Sequence, residues 1–114
     1  MSEHETEHDA NGVEDGDRIA PAAIGDALTR APLAYTDGSV QIFSGDGRTR
    51  FTENGTSTRG DWGVDEHGSF WSFWPPSYRA VYDVYWIVED GHPVGVRFVD
   101  RGRGSVSEGR YPGL

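Results

Sequence analysis

From Tyr35 onward, apolar and polar residues alternate in short runs, and each run ends at a dipeptide that favours a tight turn. Asp37-Gly38 precedes SVQIFS (39–44), Asp46-Gly47 separates it from RTRFTE (48–53), and Asn54-Gly55 leads into TSTRGDWGVDE (56–66). His67-Gly68 turns into SFWSFW (69–74), Pro75-Pro76 interrupts, and YRAVYDVYWIVE (78–89) follows. Asp90-Gly91 then leads to HPVGVRFVD (92–100), and GSVSEGRY (104–111) is the last run. Asn-Gly and Asp-Gly readily take the positive φ that hairpin turns need, so the pattern predicts an antiparallel meander of about seven strands.

Ahead of it, APAAIGDALTR (20–30) places Ile24, Ala27 and Leu28 at helical spacing, with Pro21 suited to the first turn and Pro32 ending the run. This predicts one short helix lying on the sheet or plugging one end of it. Seven short-looped strands left as an open sheet would expose unpaired edges. The all-β fold expected is therefore a small barrel or half-barrel, with a two-layer sandwich as the alternative.

Alternation also assigns faces. Between 78 and 88 the even positions (Tyr78, Ala80, Tyr82, Val84, Trp86, Val88) are apolar or aromatic, which predicts that they point inward with Val94, Val96, Phe98, Trp62 and Val64. SFWSFW carries rings on both faces, so one face is expected to look into the barrel and the other to meet the helix or a partner.

Residues 1–17 hold seven acids, no base and no aromatic, and are expected to form a disordered acidic tail, leaving 18–114 as a single β-barrel domain. The whole chain carries 19 acids against 10 bases, a formal net charge of −9. Removing the tail leaves twelve acids and ten arginines, so the acidity belongs to the tail and not to the fold. With Arg97, Arg101 and Arg103 interleaved with Asp100 and glycines, no basic footprint for nucleic acid is expected. There is no cysteine, hence no disulfide framework, thiolate nucleophile or Cys-ligated metal. No stretch approaches the roughly 18 apolar residues of a membrane helix, and the N-terminus has no signal-peptide pattern, so a cytoplasmic protein is expected.

Eight of the fourteen aromatics fall within residues 69–86, and they are either the core or the wall of a ligand chamber. An interior lined by Trp and Tyr holds a small apolar molecule and orients it by its polar handles, which makes Trp62, Trp71, Tyr78, Tyr82 and Trp86 the expected ligand-binding residues. Acid or base chemistry in such a chamber would fall to Tyr82, Tyr85, His92 or Asp83. No HExxH, GxSxG, Walker or Rossmann pattern occurs, so neither a cofactor nor a metal is expected. An aromatic face formed by Phe70 and Trp74 is the candidate for docking on a partner or for homodimer formation.

The stretch YTDGSVQIFSGDGRTRFTENGTSTRGDWGVDEHGSFWSFWPP, with Gly60-Asp61-Trp62 as a G-x-W turn, resembles small bacterial lipocalin-like barrel domains, and the likeness extends over about residues 21–111. The resemblance implies a helix followed by a closed meander that binds a small hydrophobic or aromatic molecule. It leaves two alternatives: a cyclase or isomerase acting on a natural-product-like substrate, and a protein interaction module.

Overall fold

A computed structural model of the protein describes residues 12–113. Its turns obey the dipeptides. Both residues of Asn54-Gly55 (φ 51° and 80°) and of Asp90-Gly91 (52° and 78°) are left-handed, the geometry whose twist matches two strands joined by a two-residue loop. Such turns join β3 (Arg48–Glu53) to β4 (Thr56–Val64), and β6 (Tyr78–Glu89) to β7 (His92–Asp100). The remaining strands are β1 (Leu33–Tyr35), β2 (Val40–Phe43), β5 (Phe70–Trp74) and β8 (Val106–Arg110).

Each strand pairs antiparallel with the next, and β1 pairs with β8 through Ala34↔Arg110 and Tyr35↔Gly109, so the meander closes into an eight-stranded barrel. Closure removes the open edges that an unrolled sheet would leave. The strand not foreseen is β1, whose three residues between Pro32 and the Asp37-Gly38 turn are too few to show alternation.

The helix α1 (Pro21–Thr29) begins with Pro21 and has Ile24, Ala27 and Leu28 all fully buried. It packs across the end of the barrel that carries the β2–β3, β4–β5 and β6–β7 turns, where Pro21 lies against Gly68. The lower half is filled by Ile19, Leu33, Trp62, Val84, Trp86 and Val96, each less than a tenth exposed. The polar handles of two rings there are satisfied: Trp62 Nε1 donates to the Ser44 carbonyl (3.0 Å) and the Tyr111 hydroxyl to the Ala27 carbonyl (2.6 Å). Arg30 lies 5.2 Å above the Trp86 ring and 5.6 Å above that of Tyr111.

β5 pairs with β6 only as far as Tyr82, and residues 15–19 cover the next part of the β6 edge. Gly16 N donates to the Trp86 carbonyl, Trp86 N to the Asp17 carbonyl, and Ile19 N to the Val84 carbonyl, at 2.8–3.0 Å. The expected acidic tail overlaps the described residues in this segment; positions 1–11 lie outside them. Among the described residues, no helix is long and apolar enough to cross a membrane.

Candidate functional site

Strand alternation fixes which side chains enter the barrel, and the register fixes how high along its axis each one sits. Phe43, Phe70 and Phe98 come from three different strands and meet at one level, with ring centroids 5.5–6.4 Å apart. They form a floor. Below it lies the packed half under α1; above it is a cavity of about 640 Å³ that opens at the end opposite the helix.

The walls of this cavity are rings. Trp74 meets Phe51 edge-on at 6.4 Å, Phe51 meets Tyr35 at 6.2 Å, Tyr35 meets Phe98 at 6.4 Å, and Phe98 meets Tyr82 at 6.0 Å. The belt thus draws one ring from each of five strands. Trp74 can lie flat against β4 because position 60 is glycine: a Cβ there would stand 2.6 Å from the indole and from the Phe73 carbonyl.

Between the rings sit polar side chains, of which Ser39, Gln41 and Ser72 are each under a tenth exposed. Thr49 Oγ1 donates to the Ile42 carbonyl (2.9 Å), Gln41 Nε2 donates to Thr49 Oγ1 (3.0 Å), and the Tyr35 hydroxyl donates to Gln41 Oε1 (2.7 Å). The carbonyl at the far end can only accept, so it sets the direction of the whole chain. Burial is the main cause that raises the Tyr35 phenol well above its ordinary range, with Tyr82 and Asp37 adding to it. Burial likewise raises Tyr82. Both hydroxyls are therefore protonated near neutral pH.

The opening has a structural cause. Because β1 is so short, it pairs with β8 only at Gly109 and Arg110, and Val106–Glu108 face the β1–β2 turn across an unpaired gap. Both sides of that gap line the cavity, with Thr36 and Asp37 on one and Val106, Ser107 and Glu108 on the other. Asp37 Oδ1 accepts from the Ser39 hydroxyl (2.6 Å) and backbone amide (2.9 Å), which hold its carboxyl below the usual range. Glu108 accepts from Arg97 Nε at 2.7 Å.

Of the five residues expected to bind a ligand, only Tyr82 lines the cavity. Trp62 and Trp86 belong to the packed half, and Tyr78 is exposed at the open rim with Arg103 5.6 Å above its ring. Trp71 points outward, lying over Gly63 with the Arg79 guanidinium 4.6 Å from its centroid. Val64, expected inside with Trp62, is 36% exposed.

Among the four acid–base candidates, Tyr82 again is the one in the cavity. Asp83 sits on the outer face, 3.0 Å from Arg18 and 3.8 Å from Arg101. Tyr85 shares that outward register, and His92 is exposed at the β6–β7 turn on the plugged end.

The pair expected to form a docking face is placed differently. Phe70 is 2% exposed in the floor and Trp74 is in the cavity wall, because the face they share turns inward and leaves the outside to Trp71 and Phe73. Tyr35, Phe51, Ser39, Gln41 and Ser72 line the cavity without having been singled out, and Phe98, expected to point inward, lines it with them. The signal that was there is the inward phase of Val96 and Phe98.

A second hollow, about 550 Å³, lies on the outer surface between β2 and the β5–β6 turn, where Arg50 stands opposite Arg59 beside Arg48 and Asp61. No group of three His, Asp or Glu side chains among the described residues is placed to hold a metal ion. Comparison with protein-family models, with curated proteins and with solved structures finds no match to the chain.

Proposed function

We propose that the protein binds one small, largely apolar molecule in the open half of its barrel. The observation that carries this reading is the cavity of about 640 Å³ above the phenylalanine floor. An eight-stranded barrel is just wide enough either to fill itself with side chains or to hold one small ligand, and this one does the first below Phe43 and leaves room for the second above it. The volume falls within the range of about 300–1,000 Å³ usual for ligand pockets, and a ring-lined wall with a few fixed polar groups is their usual chemistry. The likeness to lipocalin-like barrels supports the same reading.

The test is titration with N-phenyl-1-naphthylamine, a neutral dye that brightens in apolar surroundings. Saturable one-to-one binding is expected. Thr58→Trp, a change at an exposed position that lines the cavity, should weaken binding at least about tenfold, or roughly 1.4 kcal/mol, while the circular dichroism spectrum stays the same. A dye that does not saturate, or that binds the variant equally well, overturns the reading.

A further inference from the structure

We propose that the molecule held in this cavity is an organic cation, an amine or quaternary ammonium carrying an apolar body. The inference rests on the binding reading above and adds the ligand's charge to it.

The first observation concerns what lines the space. Tyr35, Phe51, Trp74, Tyr82 and Phe98 form the belt and Phe70 the floor, while none of the ten arginines and no histidine of the described residues is among the lining side chains. A carboxylate or phosphate would enter without a charged partner and lose its hydration, which costs several kcal/mol. Aromatic faces carry negative charge and attract a cation, and a cage of rings is the usual way proteins recognise quaternary ammonium groups.

The second observation is the direction of the hydrogen-bond chain. Its protons run from Tyr35 to Gln41, to Thr49, and end on the Ile42 carbonyl. The Tyr35 proton is thereby committed away from the cavity, and what its oxygen has left to offer a ligand is a lone pair. That oxygen suits an N–H donor or the positive edge of an ammonium group, and gives nothing to an anion.

A third is the charge at the entrance. Asp37 lines one side with Oδ1 engaged by Ser39, while Glu108 across the gap is paired with Arg97. The arginines at the same end are engaged elsewhere: Arg103 is stacked on Tyr78, Arg79 on Trp71, and Arg101 lies 3.8 Å from Asp83. A carboxylate at the mouth draws cations towards the opening and turns anions away.

The experiment uses displacement of N-phenyl-1-naphthylamine from the whole chain by three probes of similar size: benzyltrimethylammonium, its uncharged isostere neopentylbenzene, and phenylacetate. The cation should displace the dye at a concentration at least about tenfold lower than the isostere, and phenylacetate should not displace it. Asp37→Asn should reduce the advantage of the cation over the isostere by a few-fold. If the isostere displaces the dye as well as the cation does, if phenylacetate displaces it, or if the dye binds and the cation fails to displace it, the cation assignment is overturned while the cavity remains a binding site. If the dye itself does not bind, both readings fall.

Discussion

The two halves of this barrel are cut from the same strands and differ in how they are filled. Below the Phe43, Phe70 and Phe98 floor, Ile24, Leu28, Leu33, Val84 and Val96 are essentially inaccessible and a helix covers the end. Above it, the buried side chains include Ser39, Gln41 and Ser72, and among the described residues no helix covers the opening. The lesson is a division of labour along one axis: apolar burial supplies most folding free energy, so a barrel whose lower half is solidly packed can leave its upper half hollow.

The sharpest way to break this comparison is to make one change in both halves. Trp86→Ala empties a site in the packed core and should cost about 3–5 kcal/mol in denaturant unfolding. Trp74→Ala removes a partly buried ring beside space that is already open, and should cost less than about half as much. Equal losses would mean that the upper half is as much a core as the lower.

Hydroxyl deletions sharpen the contrast at smaller scale. Tyr111→Phe breaks a buried bond to the Ala27 carbonyl and should cost about 0.5–1.5 kcal/mol, whereas Tyr35→Phe frees Gln41 Oε1 where water can reach it and should cost less. The acidity of Tyr111 gives a related signature. Burial pushes its phenol up to about 12, so the folded chain holds that proton more tightly than the unfolded one. The stabilisation is complete below the ordinary phenol value of about 10 and is lost as pH rises from there to about 12. Tyr111→Phe should make that fall in stability shallower, as read from thermal unfolding in alkaline buffers. Smallest is Arg30→Ala, which removes the guanidinium above Trp86 and Tyr111 and should cost about 0.5–1 kcal/mol, with no change in dye binding.

The meander was legible in the chain because its turns are written in residue types. Asn54-Gly55 and Asp90-Gly91 allow little but a tight hairpin, and Ile24, Ala27 and Leu28 mark the helix. Facing was legible too, since Ala80, Val84, Trp86, Val96 and Phe98 are all buried as alternation requires. Height along the barrel axis was not. Period-two patterning places Trp86 and Tyr82 on the same face but cannot show that one lies under the helix and the other beside a cavity, because that depends on the register of strands distant in sequence. Tyr35 and Phe51, each the lone ring of its strand, gave no cluster to notice, and both faces of Phe70–Trp74 carry rings, so their sides were ambiguous until Gly63 was seen to receive Trp71 and Gly60 to receive Trp74.

The ladder formed by residues 15–19 sets the limits of any shortened version of the protein. It shields Val84-Tyr85-Trp86-Ile87-Val88, an uncharged, strongly β-forming pentapeptide, along the side that β5 does not reach. A variant beginning at Arg18 would keep the helix, all eight strands and the buried Ile19 yet leave most of this segment ready to recruit the same segment of a neighbouring molecule. Its failure would be precipitation rather than unfolding, and it would grow steeply with protein concentration.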